Sequence, residues 1–371
     1  MQLTLTEEQT LIKDQTRDLL ARQADPETLR RLITDDAPWH PELWATMAEL
    51  GLQGAAIPEA LGGVGLGLME LCVINEEIGR AVAPVPFFSS ICMAAEAIKL
   101  AGSETQQAEW LPKLASGETV ATLAWAEGSG APPSGMPATA RSGAAIHGRK
   151  WPVPDASVAR LCVVIHGGDA GLELSLVDLA SDQVERTRLE GFDPMRHHCA
   201  VSFDGAPCEP LTGAPGHEAV DALFRRLAVI EAFEQVGGTE SALYMARDYT
   251  LERYIFGRQL ASYQAVKHNL ADILVMLELA RSNALYAADA VEAERDDAPR
   301  AAAAARIGAT RAYEQAAREN LQLHGGIGFT WEANCHFHYR RARLLALNIG
   351  SVDVWNDVLM ADAAAAAVEA N

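Results

Sequence analysis

The sequence predicts a multi-domain α+β fold in which a β-rich middle domain separates two helical domains. Apolar residues recur at helical spacing up to about residue 115 and again from Glu218 onward, and short β-rich runs fill the stretch between them. The length of 371 residues is sufficient for two or three hydrophobic cores. We therefore expect an N-terminal helical domain over residues 1–116, a middle β domain over 117–214 and a C-terminal helical domain over 215–371.

The N-terminal domain carries clear signals for its first elements. Thr6 followed by Glu7 and Glu8 is typical of a helix start. The stretch 41–52 predicts a short amphipathic helix closed by glycine. The glycine-rich stretch 57–67, IPEALGGVGLG, has neither the spacing of a phosphate-binding loop nor a strand–helix–strand pattern before it. We interpret it as a connector.

The middle and C-terminal domains differ in their periodicity. Runs such as RLCVVIH and LELSLVDL, separated by Gly, Pro, Asp and Ser clusters, have the spacing of an antiparallel sheet or small barrel. Helical segments follow, at 218–255, 263–294, 298–323 and 333–347, before an alanine-rich end. Alanine runs favour helix surfaces or close helix packing.

Charge and composition exclude several classes of function. Lys and Arg total 30 against 50 Asp and Glu, a net charge of −20, which disfavours binding to nucleic acid or to an anionic membrane surface. Acidic residues in the first turns disfavour a secretory signal, and no apolar run reaches the roughly 18 residues of a membrane span. The six cysteines form no C-x-x-C pair. We expect a cytoplasmic protein with reduced thiols.

Two short clusters contain the side chains that metals prefer. Adjacent and alternate positions of a strand or helix point in different directions, so we interpret both clusters as packing residues and expect no metal. The clusters are His197, His198 and Cys199, and Cys335, His336 and His338.

Two strings in the C-terminal domain resemble the signature segments of the acyl-CoA dehydrogenase family: YTLERYIFGRQLASYQAVKHNLADI at 249–273 and LQLHGGIGFTWEANCHFHYRRA at 321–342. The strings LGGVGLGLMELCVINEEIGR and GRKWPVPDASVARLCVV fit the same family. The resemblance implies a middle antiparallel β-barrel domain and a C-terminal four-helix bundle. It also implies FAD held between subunits, oxidation of the α,β bond of an acyl-CoA thioester, and transfer of the electrons to an electron-transfer flavoprotein.

The resemblance assigns cofactor-binding roles to a small set of residues. In the family, such positions approach the FAD pyrophosphate bound mainly by the neighbouring subunit. A guanidinium can fork onto phosphate oxygens, and glycines let the backbone come close to them. The positions here are Arg253 with Phe256, Gln264 on the helix that follows, and Gln322 with Gly325 and Gly326.

Three departures from the family pattern concern the flavin ring and the base. Ala126 stands where a threonine hydroxyl usually meets the flavin. Pro152 and Pro154 stand in line with an aromatic residue and a threonine, and proline removes an N–H donor and fixes φ. Ile349 stands at the position of the glutamate base. Isoleucine cannot accept a proton.

The second position at which some relatives carry the base falls near Leu227, which is also apolar. Glu231 and Glu234 are the nearest carboxylates, and helical spacing puts Glu234 at the centre of an apolar stripe and Glu231 toward its edge. A carboxylate there must be paired, protonated or functional. Glu234 is therefore either paired with a buried arginine, or packed at the crossing near Gly237, or a base, with Glu231 as the next candidate.

The pattern of retained and replaced residues predicts a hetero-oligomer. Residues that would face a partner's FAD are kept, whereas those for this chain's own flavin ring and base are replaced. This resembles the heterotetrameric dehydrogenases of steroid side-chain degradation and implies a bulky, ring-bearing acyl-CoA. Two alternatives remain open: a self-sufficient homotetramer that uses Glu234 or Glu231 as base, and a non-catalytic structural or regulatory subunit on the same fold.

Overall fold

The computed structural model describes residues 4–168 and 171–369, with side chains described as far as residue 362. The chain packs into two compact units. The helical unit contains residues up to 27, Cys72–Ala83 and the chain from Ala228 onward. The barrel unit contains Thr28–Leu71 and Pro84–Leu227. The expected boundaries at 116/117 and 214/215 stay a prediction.

The N-terminal third is helical, as predicted. The start signal at Thr6 is confirmed, because its side chain accepts a hydrogen bond from the Gln9 amide and the Gln9 side chain accepts one from the Thr6 amide. The glycine-rich stretch forms a connector with one 3₁₀ turn, Glu59–Leu61. A fully buried π-helix spans Phe88–Ala95. The α-helices are α1 Glu7–Gln23, α2 Pro26–Thr34, α3 Pro41–Glu49, α4 Leu68–Ala81, α5 Glu96–Ala101 and α6 Glu104–Ala115.

The middle strands close into a barrel. Its closed ring runs β4–β2–β3–β7–β5 and back to β4, while β1 pairs with β4 and β6 with β7. The strands are β1 Ala121–Ala124, β2 Ala140–Ser142, β3 Ala145–Pro154, β4 Leu161–Gly168, β5 Gly171–Asp178, β6 Val184–Leu189 and β7 His198–Pro210.

The predicted antiparallel pairing is confirmed for most of the barrel, with two exceptions. Strand β1 pairs with β4 in parallel, from Ala121 opposite Leu161 to Ala124 opposite Val164. Strand β2 also pairs with β4 in parallel, at Ala140 and Gly167. Parallel pairs need a long crossover, which the β2–β3 hairpin supplies between β1 and β4.

The C-terminal third contains the four predicted helices and one more. Helix α7 contributes to both units, and its residues from Ala228 belong to the helical unit. Buried alanines line α8 and α9, which pack against each other as the alanine runs predict. The elements are α7 Gly216–Glu252, β8 Tyr254–Ile255, β9 Arg258–Gln259, α8 Gln264–Glu292, α9 Ala298–His324, α10 Cys335–Leu345 and α11 Val352–Glu369. Among the helices of the described residues, none has the length and apolarity to cross a membrane.

Candidate cofactor site and buried carboxylates

Arg253 leads from α7 into the β8–β9 hairpin and is exposed. Its guanidinium makes no ion pair or hydrogen bond within the described part of the chain. The hairpin reverses at Phe256 and Gly257, which both have positive φ, and the Phe256 side chain is 96% exposed. An unpaired guanidinium on an open hairpin is suited to an incoming anion.

The second predicted segment is the turn that follows α9. Gly325 ends the helix with φ +65° and ψ −142°, a backbone conformation that requires glycine. A Cβ built on Gly325 or Gly326 would meet nothing within 4 Å, so the backbone of this turn is open. The Gln322 side chain is also exposed.

A ring contact brings these two segments together. Tyr249 of α7 stacks on His324 of α9 with centroids 4.1 Å apart and planes 21° apart, and its hydroxyl donates to the His324 carbonyl at 3.3 Å. Gln264 begins α8 and is exposed next to Tyr263, whose hydroxyl donates to the Ile255 carbonyl of the hairpin. The predicted cofactor residues therefore lie on adjoining segments, and their role in binding stays a prediction.

The positions that would meet a flavin ring lie in the barrel unit. Backbone hydrogen bonds there use the polar groups at Ala126 and next to Pro152. Ala126 is buried, and its carbonyl accepts the Trp151 amide at 2.9 Å. The Trp151 carbonyl in turn accepts the Gly128 amide at 2.8 Å. Pro152 and Pro154 offer no N–H.

Glu127, next to Ala126, forms an ion pair and two backbone hydrogen bonds that were not predicted from the sequence. Its carboxylate accepts from the fully buried Lys150 ammonium at 2.9 Å and from the amides of Ala138 and Thr139 at 2.8 Å. Burial raises the pKa of Glu127, but these hydrogen bonds outweigh burial and lower the pKa to about 2. Glu127 is therefore ionised and structurally engaged, and it is not a candidate base.

The position expected for the base is part of a buried turn. Ile349 is fully buried, and its carbonyl accepts from the Trp355 indole at 3.1 Å. The buried Arg306 guanidinium donates to the carbonyls of Leu345 and Gly350. The turn around Ile349 is held through its backbone carbonyls, and its own residues 347–351 include no carboxylate.

Glu231 and Glu234 are both fully buried in ion pairs. Glu234 Oε1 lies 3.3 Å from Arg341 Nη1. Glu231 Oε1 lies 3.0 Å from Arg306 Nη2, and Glu231 Oε2 accepts from Asn348 at 3.1 Å. This is the arginine-paired arrangement, one of the three interpretations that the sequence left open for Glu234. A base role for Glu234 or Glu231 stays a prediction that this geometry does not support.

The residues present fit one half of an FAD molecule. The open backbone at Gly325 and Gly326 and the unpaired Arg253 fit an anionic pyrophosphate. Ala126, Pro152 and Pro154 do not fit the flavin ring in the usual way, since they offer neither a side-chain hydroxyl nor, at the prolines, an N–H.

Sequence reasoning offered a buried arginine as partner of Glu234 but did not identify which arginines neutralise the two carboxylates. Arg306 and Arg341 lie far along the chain from Glu231 and Glu234, and such pairing depends on tertiary contacts. One signal was present: Arg306 is a single charge inside the alanine-rich run AAAAARIGAT, where an arginine on a packed helix face needs an acidic partner.

Comparison with known proteins identifies related sequences over most of the chain. The N-terminal domain of acyl-CoA dehydrogenases matches residues 6–118, and the C-terminal domain matches residues 216–363. The acyl-CoA dehydrogenase IpdE2 of Mycobacterium tuberculosis is 30% identical over 347 residues, 92% of this chain and 92% of the relative.

Two solved structures show the same fold over the full length. A chain of a Tcur3481-Tcur3483 steroid ACAD variant is 30% identical with a TM-score of 0.90, covering 98% of this chain and 100% of that chain. A chain of the ChsE4-ChsE5 complex from Mycobacterium tuberculosis is 25% identical with a TM-score of 0.90, covering 98% and 99%. The chain therefore belongs to the acyl-CoA dehydrogenase family of FAD-dependent oxidoreductases.

Proposed function

We propose that this chain is one subunit of a heteromeric acyl-CoA dehydrogenase. It contributes the half-site that binds the FAD phosphates, and a homologous partner contributes the catalytic base and most contacts to the flavin ring. One observation carries the proposal: the segments that we propose to bind phosphate are open, whereas Ile349, at the family position of the base, is apolar and buried in a hydrogen-bonded turn.

The chemistry explains why a missing base matters. The α proton of a thioester is weakly acidic, so its removal requires a positioned carboxylate and a polarised carbonyl. When bound, FAD accepts the hydride that leaves the β carbon, and we propose an electron-transfer flavoprotein as the next acceptor. Arg253 would neutralise the pyrophosphate, while the open backbone at Gly325 and Gly326 would allow phosphate oxygens to approach.

Exposed apolar side chains next to this half-site support a partner subunit. The β8–β9 hairpin and the turn after α9 carry large side chains that a monomer would leave in water, and such clusters mark interaction surfaces. We call these five residues the apolar rim. Its members are Tyr254, Phe256, Ile327, Phe329 and Trp331.

A homologous subunit is the partner that we propose for the apolar rim. Two similar solved structures, the Tcur3481-Tcur3483 steroid ACAD and the ChsE4-ChsE5 complex, each pair two named chains. An assembly of this chain with such a partner would form composite sites in which one chain gives the phosphate half and the other gives the ring half. Since this chain lacks the usual ring contacts, only every second composite site would be complete.

The substrate that we propose is an acyl-CoA with a bulky, ring-bearing acyl group. The support is the similarity to a steroid ACAD over the full length. A straight fatty acyl-CoA is the comparison substrate, and the ratio of the two kcat/KM values measures the preference.

Reconstitution tests the division of labour. The chain is expressed alone and together with a homologous family member from the same host, and both preparations are assayed for acyl-CoA oxidation with an artificial electron acceptor and with electron-transfer flavoprotein. We expect turnover only from the pair, and Glu234→Gln in this chain should leave that turnover unchanged. Turnover with full FAD from the chain alone would establish the self-sufficient homotetramer instead, and a folded Glu234→Gln or Glu231→Gln variant without turnover would identify its base. A pair without turnover would favour a non-catalytic subunit.

A further inference from the structure

We infer that Tyr249 and His324 are positioning residues for FAD, because their stacked rings set the spacing between Arg253 and the turn at Gly325. The inference rests on the proposed function, in which these two segments bind the FAD phosphates. Neither ring needs to touch the cofactor for this role. The pair acts through the residues that follow each ring along the chain.

The geometry of the stack is well defined. The ring centroids lie 4.1 Å apart with an interplanar angle of 21°, and the Tyr249 hydroxyl donates to the His324 carbonyl at 3.3 Å. Tyr249 therefore holds both the side chain and the backbone of His324. The carbonyl that it binds belongs to the peptide bond that leads into Gly325.

His324 is itself fixed from the helix below. Its Nδ1 lies 2.7 Å from the Asn320 carbonyl, and since a carbonyl can only accept, Nδ1 carries the proton. Asn320 is fully buried, and its side-chain amide donates to Met245 Sδ of α7 at 3.3 Å. The last turns of α7 and α9 are thus joined at two levels, by Met245 with Asn320 and by Tyr249 with His324.

Each ring lies close in sequence to a proposed phosphate contact. The Arg253 amide donates to the Tyr249 carbonyl at 2.9 Å, so the two residues lie one helical turn apart on the same face. Gly325 directly follows His324 and takes the conformation that opens the turn. A phosphate that spans both segments requires a fixed distance between them, because misplacement lowers affinity without removing any contact group.

Removal of the Tyr249–His324 stack tests the positioning role. The assembly is purified from its own host through a tag on this chain. The bound FAD is removed, and FAD is titrated back into the wild-type assembly and into assemblies with Tyr249→Leu or His324→Leu, which keep apolar volume without a second ring. We expect FAD affinity to fall about 5- to 20-fold, because each variant loses the stacked pair of rings and one side-chain hydrogen bond. The visible spectrum of bound FAD should not change, since neither Tyr249 nor His324 is a proposed contact of the flavin ring.

Matched variants separate positioning from general stability. His324→Phe keeps the stack but loses the hydrogen bond to the Asn320 carbonyl, so its FAD affinity should lie between those of wild type and His324→Leu. Equal FAD affinity for wild type, Tyr249→Leu and His324→Leu, together with weakened binding in Arg253→Ala, would overturn the positioning role alone. Unchanged FAD binding in Arg253→Ala would overturn the proposed phosphate half-site, and the positioning role with it.

Discussion

Glu234 and Glu231 show how burial decides between the structural and catalytic interpretations of one residue type. Both carboxylates are fully buried, and each lies within 3.3 Å of an arginine nitrogen. A base must reach the α carbon of its substrate, whereas these oxygens face guanidinium groups inside the helical unit. Their pattern on the helix is the same in either case, so the sequence left the choice open.

Glu234→Gln should destabilise the protein without loss of catalysis. The substitution breaks the buried ion pair with Arg341 by removing one of its two charges, which costs about 3–5 kcal/mol. Urea unfolding measures the loss, and kcat/KM of the folded assembly should stay within about twofold of wild type. The double variant Glu234→Leu with Arg341→Met removes both charges and should recover most of the stability. A folded Glu234→Gln assembly without activity would contradict the structural role.

Arg253→Ala should weaken FAD binding about 10- to 100-fold, because a charge-assisted, bidentate contact to phosphate contributes roughly 1.5–3 kcal/mol. FAD fluorescence titration of the assembly gives the dissociation constant. Arg160→Ala removes the same charge from an exposed ion pair with Asp178 in the barrel unit and serves as the control. Equal weakening in both variants would point to net charge and away from a specific contact.

His338 should make stability fall as the pH is lowered below about 6.5. The ring is buried, with Nε2 3.1 Å from the Ser241 hydroxyl and Nδ1 3.0 Å from the Tyr313 hydroxyl. Burial, then Arg341 and Arg80, lowers the pKa of His338 to about 3. The unfolded chain therefore binds a proton that the folded chain rejects between pH 3 and 6.5, and up to about 1.4 kcal/mol is lost per pH unit.

The check on this pH effect compares unfolding free energies at pH 7, 6 and 5. His338→Gln keeps hydrogen-bonding capacity but cannot titrate, so its slope of stability against pH should be shallower than that of wild type over this window. Parallel slopes for wild type and variant would assign the acid sensitivity to other groups.

At the residue scale, contacts between residues close in sequence were predictable, whereas contacts between residues far apart in sequence were not. Thr6 caps a helix with Gln9, three residues away, and was found. Lys150 and Glu127 are separated by 23 positions and meet only because β3 returns beside the end of β1. No spacing rule in a single sequence identifies such a pair.

Among the elements, the crossing of α4 and α7 depends on two glycines. A Cβ at Gly237 would lie 1.8 Å from the Glu76 carbonyl oxygen, and one at Gly79 would lie 2.0 Å from the Glu234 carbonyl oxygen. These distances are far shorter than a van der Waals contact, so neither position has room for a Cβ. The backbones of the two helices therefore pack directly against each other. The sequence indicated a crossing near Gly237 but not its partner helix.

Gly237→Ala should therefore destabilise the protein by about 3 kcal/mol or more, although alanine favours helix formation. Gly308→Ala is the matched control within α9, where the new Cβ would meet only Asn283 Nδ2 at 3.6 Å. It should stabilise the protein by about 0.5–1 kcal/mol. Thermal unfolding of the two variants beside wild type gives the comparison. A stable Gly237→Ala variant would mean that the helices do not cross this closely.

The types of the elements were predictable because hydrophobic periodicity is strong in this chain and turn-forming residues separate the periodic segments. Helices α7 to α10 coincide with the four predicted segments to within a few residues. The parallel pairing of β1 with β4 was not predictable, because a strand's pattern does not reveal the direction of its neighbour. Helix α11 lies in the stretch that was expected to be helical, but its bounds were not predicted, since its alanine-rich sequence has little amphipathic pattern.

At the scale of the whole molecule, the two compact units interleave along the chain. Cys72–Ala83 belongs with the C-terminal helices, although it lies inside the N-terminal third of the sequence. Domain boundaries drawn from the sequence place this segment in the N-terminal domain, together with the residues on either side of it. The segment joins the C-terminal helices through polar contacts, such as the hydrogen bond from Asn75 to the Ile230 carbonyl at 3.1 Å.

The central claim concerns assembly: this chain supplies the phosphate half of a composite FAD site and needs a related chain for the other half. Native mass spectrometry of the assembly, purified from its own host through a tag on this chain, measures the claim directly when FAD and each polypeptide are counted. We expect two related chains in equal numbers and one FAD for every two chains. An assembly of this chain alone, with one FAD per chain, would contradict the account.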